Sequence, residues 1–287
     1  MKTLPGAIAW GCWRLEDEDV GRLVALLEVC HEHGIQVIDT APVYGYGSRF
    51  GAGHAERMLG LAFNKRPELR QHFVVVTKAG LDLPVPYDSS HARLMTECET
   101  SRKALGDDTL DVYLIHRPDL LTAWRDLAES LDHLVSEGKV RKVGVSNFTP
   151  TQVDAVKAHL EAPLFAHQVE CSTLHIDPIQ DGTLDQIQAL DLQGMAWSPL
   201  AGGRLFNDAD DPVRDRVLPK LQQIAEQKER SVTQIALSFL LNLPRLMPIV
   251  GSMKPERIIE AATAASSDLD RGEWYDIMSA ARGAPMP

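Results

Sequence analysis

Cysteine is sparse in this chain, and the spacings that would put it to use are missing. Cys12, Cys30, Cys98 and Cys171 are scattered over 287 residues with no Cys-x-x-Cys among them. That excludes a disulfide scaffold or a zinc knuckle and fits reduced thiols in a cytoplasm. Positive charge is also short. Against 40 Asp and Glu there are 29 Lys and Arg, a formal net charge of −11. Neither nucleic acid nor an anionic membrane surface is an expected partner. Long apolar runs are absent too. The most apolar region, residues 235–250, is interrupted by Asn242, Pro244 and Arg245 and cannot span a bilayer. The short run Ala7 to Trp10 follows Pro5 and Gly6, lacks a small-x-small cleavage site and precedes the acidic stretch Glu16 to Asp19. It reads as a strand rather than a signal peptide. No Gly-x-Gly-x-x-Gly follows a strand, and Gly45, Gly47, Gly51 and Gly53 have the wrong spacing, so a Rossmann site is not indicated.

What is present is a regular alternation. Apolar strands are expected at Ala7–Trp10, Val37–Ile38, Phe73–Thr77, Val112–Ile115, Val140–Val145, Phe165–Val169, Met195–Trp197 and Met247–Val250. Helical patterns lie between them. Val20, Leu23, Val24, Leu27 and Cys30 share one face, and Gly34 ends that helix. Further helices are expected over His54–Asn64, from Ser89 or Ser90 to Gly106, and from Trp124 to Gly138. Thr149-Pro150 is an N-cap followed by proline at the first helical position. Pro255 opens another helix, and one near Gly272–Ala281 closes the chain. With no break in composition and no low-complexity linker, this predicts an α/β fold: one (β/α)8 TIM-barrel domain over residues 1–287 with an extra C-terminal helix.

Several strands end in polar residues. Val37-Ile38 runs into Asp39, with Tyr44 five residues on. The third strand runs into Lys78 and the fourth into His116. In a parallel barrel the C-terminal strand ends lie on one face, so the four would converge. A tyrosine is a poor acid near neutrality, with a reference pKa of about 10. Lys78 beside it would favour the phenolate and lower that value, and Asp39 would hold Lys78 charged. His116 would orient a substrate oxygen. This is equipment for protonating a carbonyl oxygen as hydride reaches its carbon. An Asp–Lys ion pair with core Tyr and His is the structural alternative.

No side chain carries hydride, so a cofactor is required. Ser146, Asn147 and Gln168 offer groups suited to a carboxamide, and Trp197 a flat face for an aromatic ring. Ser198-Pro199-Leu200-Ala201-Gly202-Gly203-Arg204-Leu205 suits a pyrophosphate. Gly251-Ser252-Met253-Lys254-Pro255-Glu256-Arg257 leads into a helix start with two cations, suited to a phosphate monoester.

Asp-Thr-Ala-x-x-Tyr-Gly, a strand-end Lys and Leu-Ile-His-Arg-Pro-Asp together resemble the aldo-keto reductases, closest to small bacterial members carrying His-Arg-Pro-Asp. The resemblance implies an NADP(H)-dependent oxidoreductase acting reversibly on small aldehydes and ketones, with Tyr44 as general acid and Lys78 and Asp39 tuning it. It also implies contacts to nicotinamide, pyrophosphate and 2′-phosphate in the order above, with Trp197 where a stacking Tyr is frequent. Gly11-Cys12-Trp13 resembles a loop beside the nicotinamide, and Glu260 an adenine-contacting Glu. Ala261 stands where an Asn is common, and Gly251 where some members have a cation. Many members are monomers. Members commonly carry an N-terminal hairpin under the barrel. Six residues before the first strand are too few for one, so either another segment covers the floor or the chain is truncated. Trp13, Tyr46 and Arg117 are candidates for lining the substrate pocket, with core packing the competing reading for Trp13. The loops Gly80–Pro86 and Asn207–Pro212 would shape that pocket. Two further readings remain: a nicotinamide-binding regulatory subunit of a membrane channel with little turnover, and a metal-dependent barrel enzyme. The histidines give no closed ligand spacing, so no metal is expected.

Overall fold

The computed structural model describes residues 3–81, 87–207, 210–264 and 269–287. Eight strands close into a parallel barrel in sequence order: β1 (Ala9–Gly11), β2 (Val37–Asp39), β3 (Val74–Ala79), β4 (Val112–Ile115), β5 (Val143–Ser146), β6 (Leu164–Glu170), β7 (Gln193–Trp197) and β8 (Leu246–Val250). The described helices are α1 (Val20–Glu32), α2 (His54–Lys65), α3 (Pro67–Arg70), α4 (His91–Leu105), α5 (Trp124–Ser136), α6 (Pro150–Lys157), α7 (Asp177–Gln180), α8 (Thr183–Ala189), α9 (Pro212–Gln227), α10 (Val232–Leu241), α11 (Pro255–Ala264) and α12 (Arg271–Arg282).

The expected TIM barrel is therefore present, with shifted boundaries. β1 begins at Ala9 rather than Ala7 and takes in Gly11, which pairs with Asp39. Val140 makes only an isolated bridge to Leu110, so β5 starts later than expected. No helix was named from the sequence between β6 and β7, where α7 and α8 stand, or between β7 and β8, where α9 and α10 stand. α9 and α10 have clear start signals. Asp211 caps Val213 and Arg214 ahead of Pro212, and Ser231 forms a capping box with Gln234.

Strand parity explains how the polar site and the core coexist. Val37, Val76, Leu114, Ala166 and Met195 belong to the apolar cluster inside the barrel. Two residues further along stand Asp39, Lys78, His116, Gln168 and Trp197. Side chains alternate along a strand, so the polar set shares the inward face and caps the apolar layer below. Trp10, Ile38, Tyr113 and Ala196 have the opposite parity and pack against the helices. The floor is closed by Leu4, which is buried among Ala9, Val37, Phe165 and Met247. Its amide donates to Gln193 Oε1 at 3.1 Å. The segment before β1 thus reaches under the barrel floor.

Thr77 has helix-side parity and donates to Glu56 of α2 at 2.6 Å, while Ser101 of α4 donates to its other oxygen at 3.2 Å. Glu56 is 1% exposed. Burial pushes its carboxyl up to about 7 against the pull of these two bonds and of Lys78. A raised carboxyl stabilises the fold fully below its unfolded value, and the effect is lost as pH rises through the folded one. Glu56→Gln should therefore gain stability relative to wild type by on the order of 2–3 kcal/mol between pH 5 and pH 8. Urea unfolding of both proteins across that range measures it, and a difference independent of pH would show that Glu56 does not titrate there.

Candidate active site

Four expected residues meet at the barrel mouth. Lys78 Nζ is wholly buried and lies 2.8 and 2.9 Å from the two carboxylate oxygens of Asp39. It also donates to Thr40 O at 2.9 Å and Tyr44 Oη at 3.0 Å. The Tyr44 hydroxyl donates to Asp39 Oδ1 at 3.1 Å. The His116 ring stands with its centroid 6.3 Å from that of Tyr44, near perpendicular. The loop after β2 brings Tyr44 back over the strand end through the Tyr44 N to Ala41 O bond of 3.0 Å.

The electrostatics correct one expectation. Tyr44 is not lowered in this arrangement. Burial first, and then the Asp39 carboxylate, hold the phenol well above its ordinary value. Lys78 is lowered by burial, with Asp39 pulling the other way. His116 is pushed well below its ordinary value by burial and by the neighbouring Lys78 and Arg117 charges. The site therefore rests with a protonated phenol and a neutral imidazole. A substrate oxygen taking the Tyr44 proton would turn that bond away from Asp39 and leave Lys78 to support the phenolate.

The other expected residues surround this centre. Trp197 closes β7, and its Nε1 donates to Asn147 Oδ1 at 2.9 Å. Asn147 Nδ2 donates to His116 O and Ser146 Oγ. Gln168 Nε2 donates to Asp39 Oδ2 at 2.7 Å. That bond was not anticipated, and it leaves the Gln168 carbonyl as the half able to meet a carboxamide N–H. Asn147 (φ 60°), Ser198 (φ 50°) and Ala201 (φ 52°) are left-handed without being glycine. Such strain gathers where backbone is held for a ligand. Pro199 and Leu200 carry the chain into Gly202 and Gly203, which have positive φ and open space where a Cβ would stand. Leu205 anchors the end of this turn in the core.

Some expectations shift. Arg204 pairs with Asp211 at 3.0 Å. A different arginine, Arg14, donates to Gly202 O at 3.0 Å and Gly251 O at 3.4 Å, and so joins the loops after β7 and β8. Both partners lie far along the chain, so no local pattern in the sequence announces it. At Gly11 a Cβ would lie 2.8 Å from Ile249 Cγ2, and Cys12 is wholly buried, so neither offers a side chain to a ligand. Trp13 is 54% exposed and meets Tyr44 edge-on at 5.1 Å, which removes the core reading. Trp10 Nε1 fixes Ser252 O at 2.9 Å, and Met253 packs on the core. Lys254 and Arg257 are exposed and have no ion pair among the described residues, and Glu260 lies one turn on along α11. His167 points away from Gln168 into the helix layer, where burial pushes it down to about 4. Residues 82–86 and 208–209, in the two loops expected to shape the pocket, lie outside the described residues.

The sequence model of the aldo/keto reductase family matches residues 7–282. The chain is 40% identical over 286 residues to a 6-dehydroglucose reductase of Novosphingobium aromaticivorans, covering 98% of this chain and 93% of that one. It is 36% identical to the Escherichia coli oxidoreductase YdhF, covering 96% and 94%. Among solved structures, a Klebsiella pneumoniae aldo/keto reductase in complex with NADP and acetate superposes with a TM-score of 0.78 at 28% identity, covering 98% and 92%. This chain belongs to the aldo/keto reductase family. Among its described residues no helix is long and apolar enough to cross a membrane.

Proposed function

We propose that this protein reduces aldehydes or ketones to alcohols with NADPH, using Tyr44 as the proton donor. The observation that carries the reading is the buried Asp39–Lys78–Tyr44 cluster, in which one ammonium serves the tyrosine oxygen at 3.0 Å. The fit of the residues to the cofactor rests on three features: the open Gly202-Gly203 turn, the Gln168 carbonyl and two cations at the start of α11, the last two without partners among the described residues. Ser146, Asn147, Gln168 and Trp197 would hold the nicotinamide end, and Lys254 and Arg257 the 2′-phosphate. When bound, the cofactor supplies hydride to the carbonyl carbon. The protein does the rest. His116, kept neutral, donates its ring N–H to the carbonyl oxygen and orients it. As that oxygen gains charge it becomes a far stronger base than a phenolate and takes the Tyr44 proton. Lys78 then faces the phenolate, and Asp39 keeps Lys78 charged. Proton and hydride each leave from one place and arrive at one place.

The test is NADPH consumption by the purified protein against a panel of aldehydes and ketones, 6-dehydroglucose included because a relative acts on it. A chain that binds NADPH and turns over none of them would sink the proposal. Because Lys78 and Tyr44 do the work of a Lewis acid, EDTA should leave the rate unchanged. Inactivation reversed by added zinc would overturn that.

A further inference from the structure

Arg117 follows His116 at the end of β4. Its guanidinium carbon stands 5.7 Å above the Trp197 ring centroid. Its charge is felt at both reacting side chains, pressing Tyr44 and His116 downward. It is only partly buried, and it makes no ion pair or hydrogen bond among the described residues. An arginine with a stacked face and an idle fork is a receptor for a planar or tetrahedral anion.

The other groups at the mouth sharpen this. Trp13 Nε1–H, on the ring that meets Tyr44, has no partner among the described residues either. The acidic groups nearby are already engaged. Asp39 accepts from Lys78, Tyr44 and Gln168, and Asp119 accepts from Ser89, Leu121 and Thr122. Among the described residues the rim thus presents idle donors in Arg117 and Trp13, one of them cationic, beside carboxylates that are already engaged. A ligand with only neutral hydroxyls would leave the guanidinium without a counter-charge. A carboxylate or phosphate would satisfy it.

We infer that the substrate is an anionic carbonyl compound, an aldehyde or ketone carrying a carboxylate or phosphate that Arg117 binds while the carbonyl sits at Tyr44 and His116. This inference rests on the reductase reading of the same site. It names the end of the substrate away from the reacting carbon, and it assigns Arg117 a binding role. Binding energy at that end would hold the carbonyl in line and would be read mainly in KM.

Matched substrate pairs test it: succinic semialdehyde against butanal for carboxylate, and glyceraldehyde 3-phosphate against glyceraldehyde for phosphate. The wild type should favour the anionic member of at least one pair by on the order of 10- to 100-fold in kcat/KM, the effect of one charge-assisted contact. Which pair responds identifies the anion. In Arg117→Gln that ratio should fall toward one, and Arg117→Lys should restore part of it. The fall should lie in KM more than kcat. A wild type without preference in either pair, or a ratio unchanged in Arg117→Gln, would overturn the inference. A turnover-independent arm separates its failure from that of the reductase reading. Succinate and inorganic phosphate are titrated into the protein, following tryptophan fluorescence, since Arg117 lies over Trp197. If no aldehyde is reduced, the reductase reading falls. Quenching by either anion in the wild type but not in Arg117→Gln would then still establish the anion site, and equal or absent quenching would remove it.

Discussion

Tyr44→Phe should lower kcat by on the order of 100-fold or more while leaving NADPH affinity close to that of the wild type. The expectation follows from what the hydroxyl touches. It receives one Lys78 hydrogen bond and makes one to Asp39. Removing it leaves Lys78 with both Asp39 oxygens and Thr40 O, and Asp39 with Lys78 and Gln168. No buried charge is stranded, so the variant should fold and its loss should be chemical. The phenylalanine ring still meets Trp13, which keeps that wall of the pocket. On the proposed mechanism, what disappears is the proton that Tyr44 holds beside a fixed ammonium. Steady-state rates on the best aldehyde, with a fluorescence titration of NADPH, decide the matter. Near-normal kcat would remove Tyr44 from the mechanism, and a parallel loss of NADPH affinity would point to a structural role instead.

The resting state bears on how that proton is held. Burial, and after it Asp39, keep the phenol protonated, and the lysine that would favour the phenolate is itself destabilised by burial. From the sequence only the ammonium is visible, because adjacency of charges can be inferred from strand ends whereas depth in the barrel cannot. The same limit runs through the site. Asp39, Lys78 and His116 were legible because each stands at the end of a short apolar strand, with Tyr44 on the loop after Asp39, and parallel topology then brings the ends together. The barrel was legible for the same reason, from the alternation of apolar runs with capped helices. Arg14 was not legible, because its role depends on two loops far along the chain folding back to its guanidinium. Nor was the Gln168 bond to Asp39, which spans 129 positions and needs the barrel to close. The helices α9 and α10 carried readable caps, but Pro219 within α9 breaks the pattern that would have announced it.

Discrimination between NADPH and NADH should reside in Lys254 and Arg257. The two cofactors differ only in the 2′-phosphate, so the preference must come from groups that can meet it. The pair stands three residues apart at the start of α11, exposed and without counter-ions among the described residues. The first-turn amides of the helix add donors and a partial positive charge to the same spot. Lys254 N is already turned onto Ser252 Oγ at 3.2 Å, which folds the loop toward the helix start. A charge-assisted contact is worth roughly 1.5–3 kcal/mol, so Arg257→Ala should weaken NADPH by on the order of 10- to 100-fold. The double variant Lys254→Ala with Arg257→Ala should lose on the order of 100-fold or more, short of full additivity because the two share one phosphate. Gly251 brings no cation of its own. Arg14, however, reaches its carbonyl at 3.4 Å, so some positive charge stays near the phosphate in both variants and sets a floor to the loss. NADH should bind all three proteins alike. Titrations with both cofactors, repeated at raised salt to show the screening expected of exposed cations, measure it. Equal affinity of the wild type for NADPH and NADH, or a parallel loss of both in the variants, would place the phosphate site elsewhere on the barrel mouth.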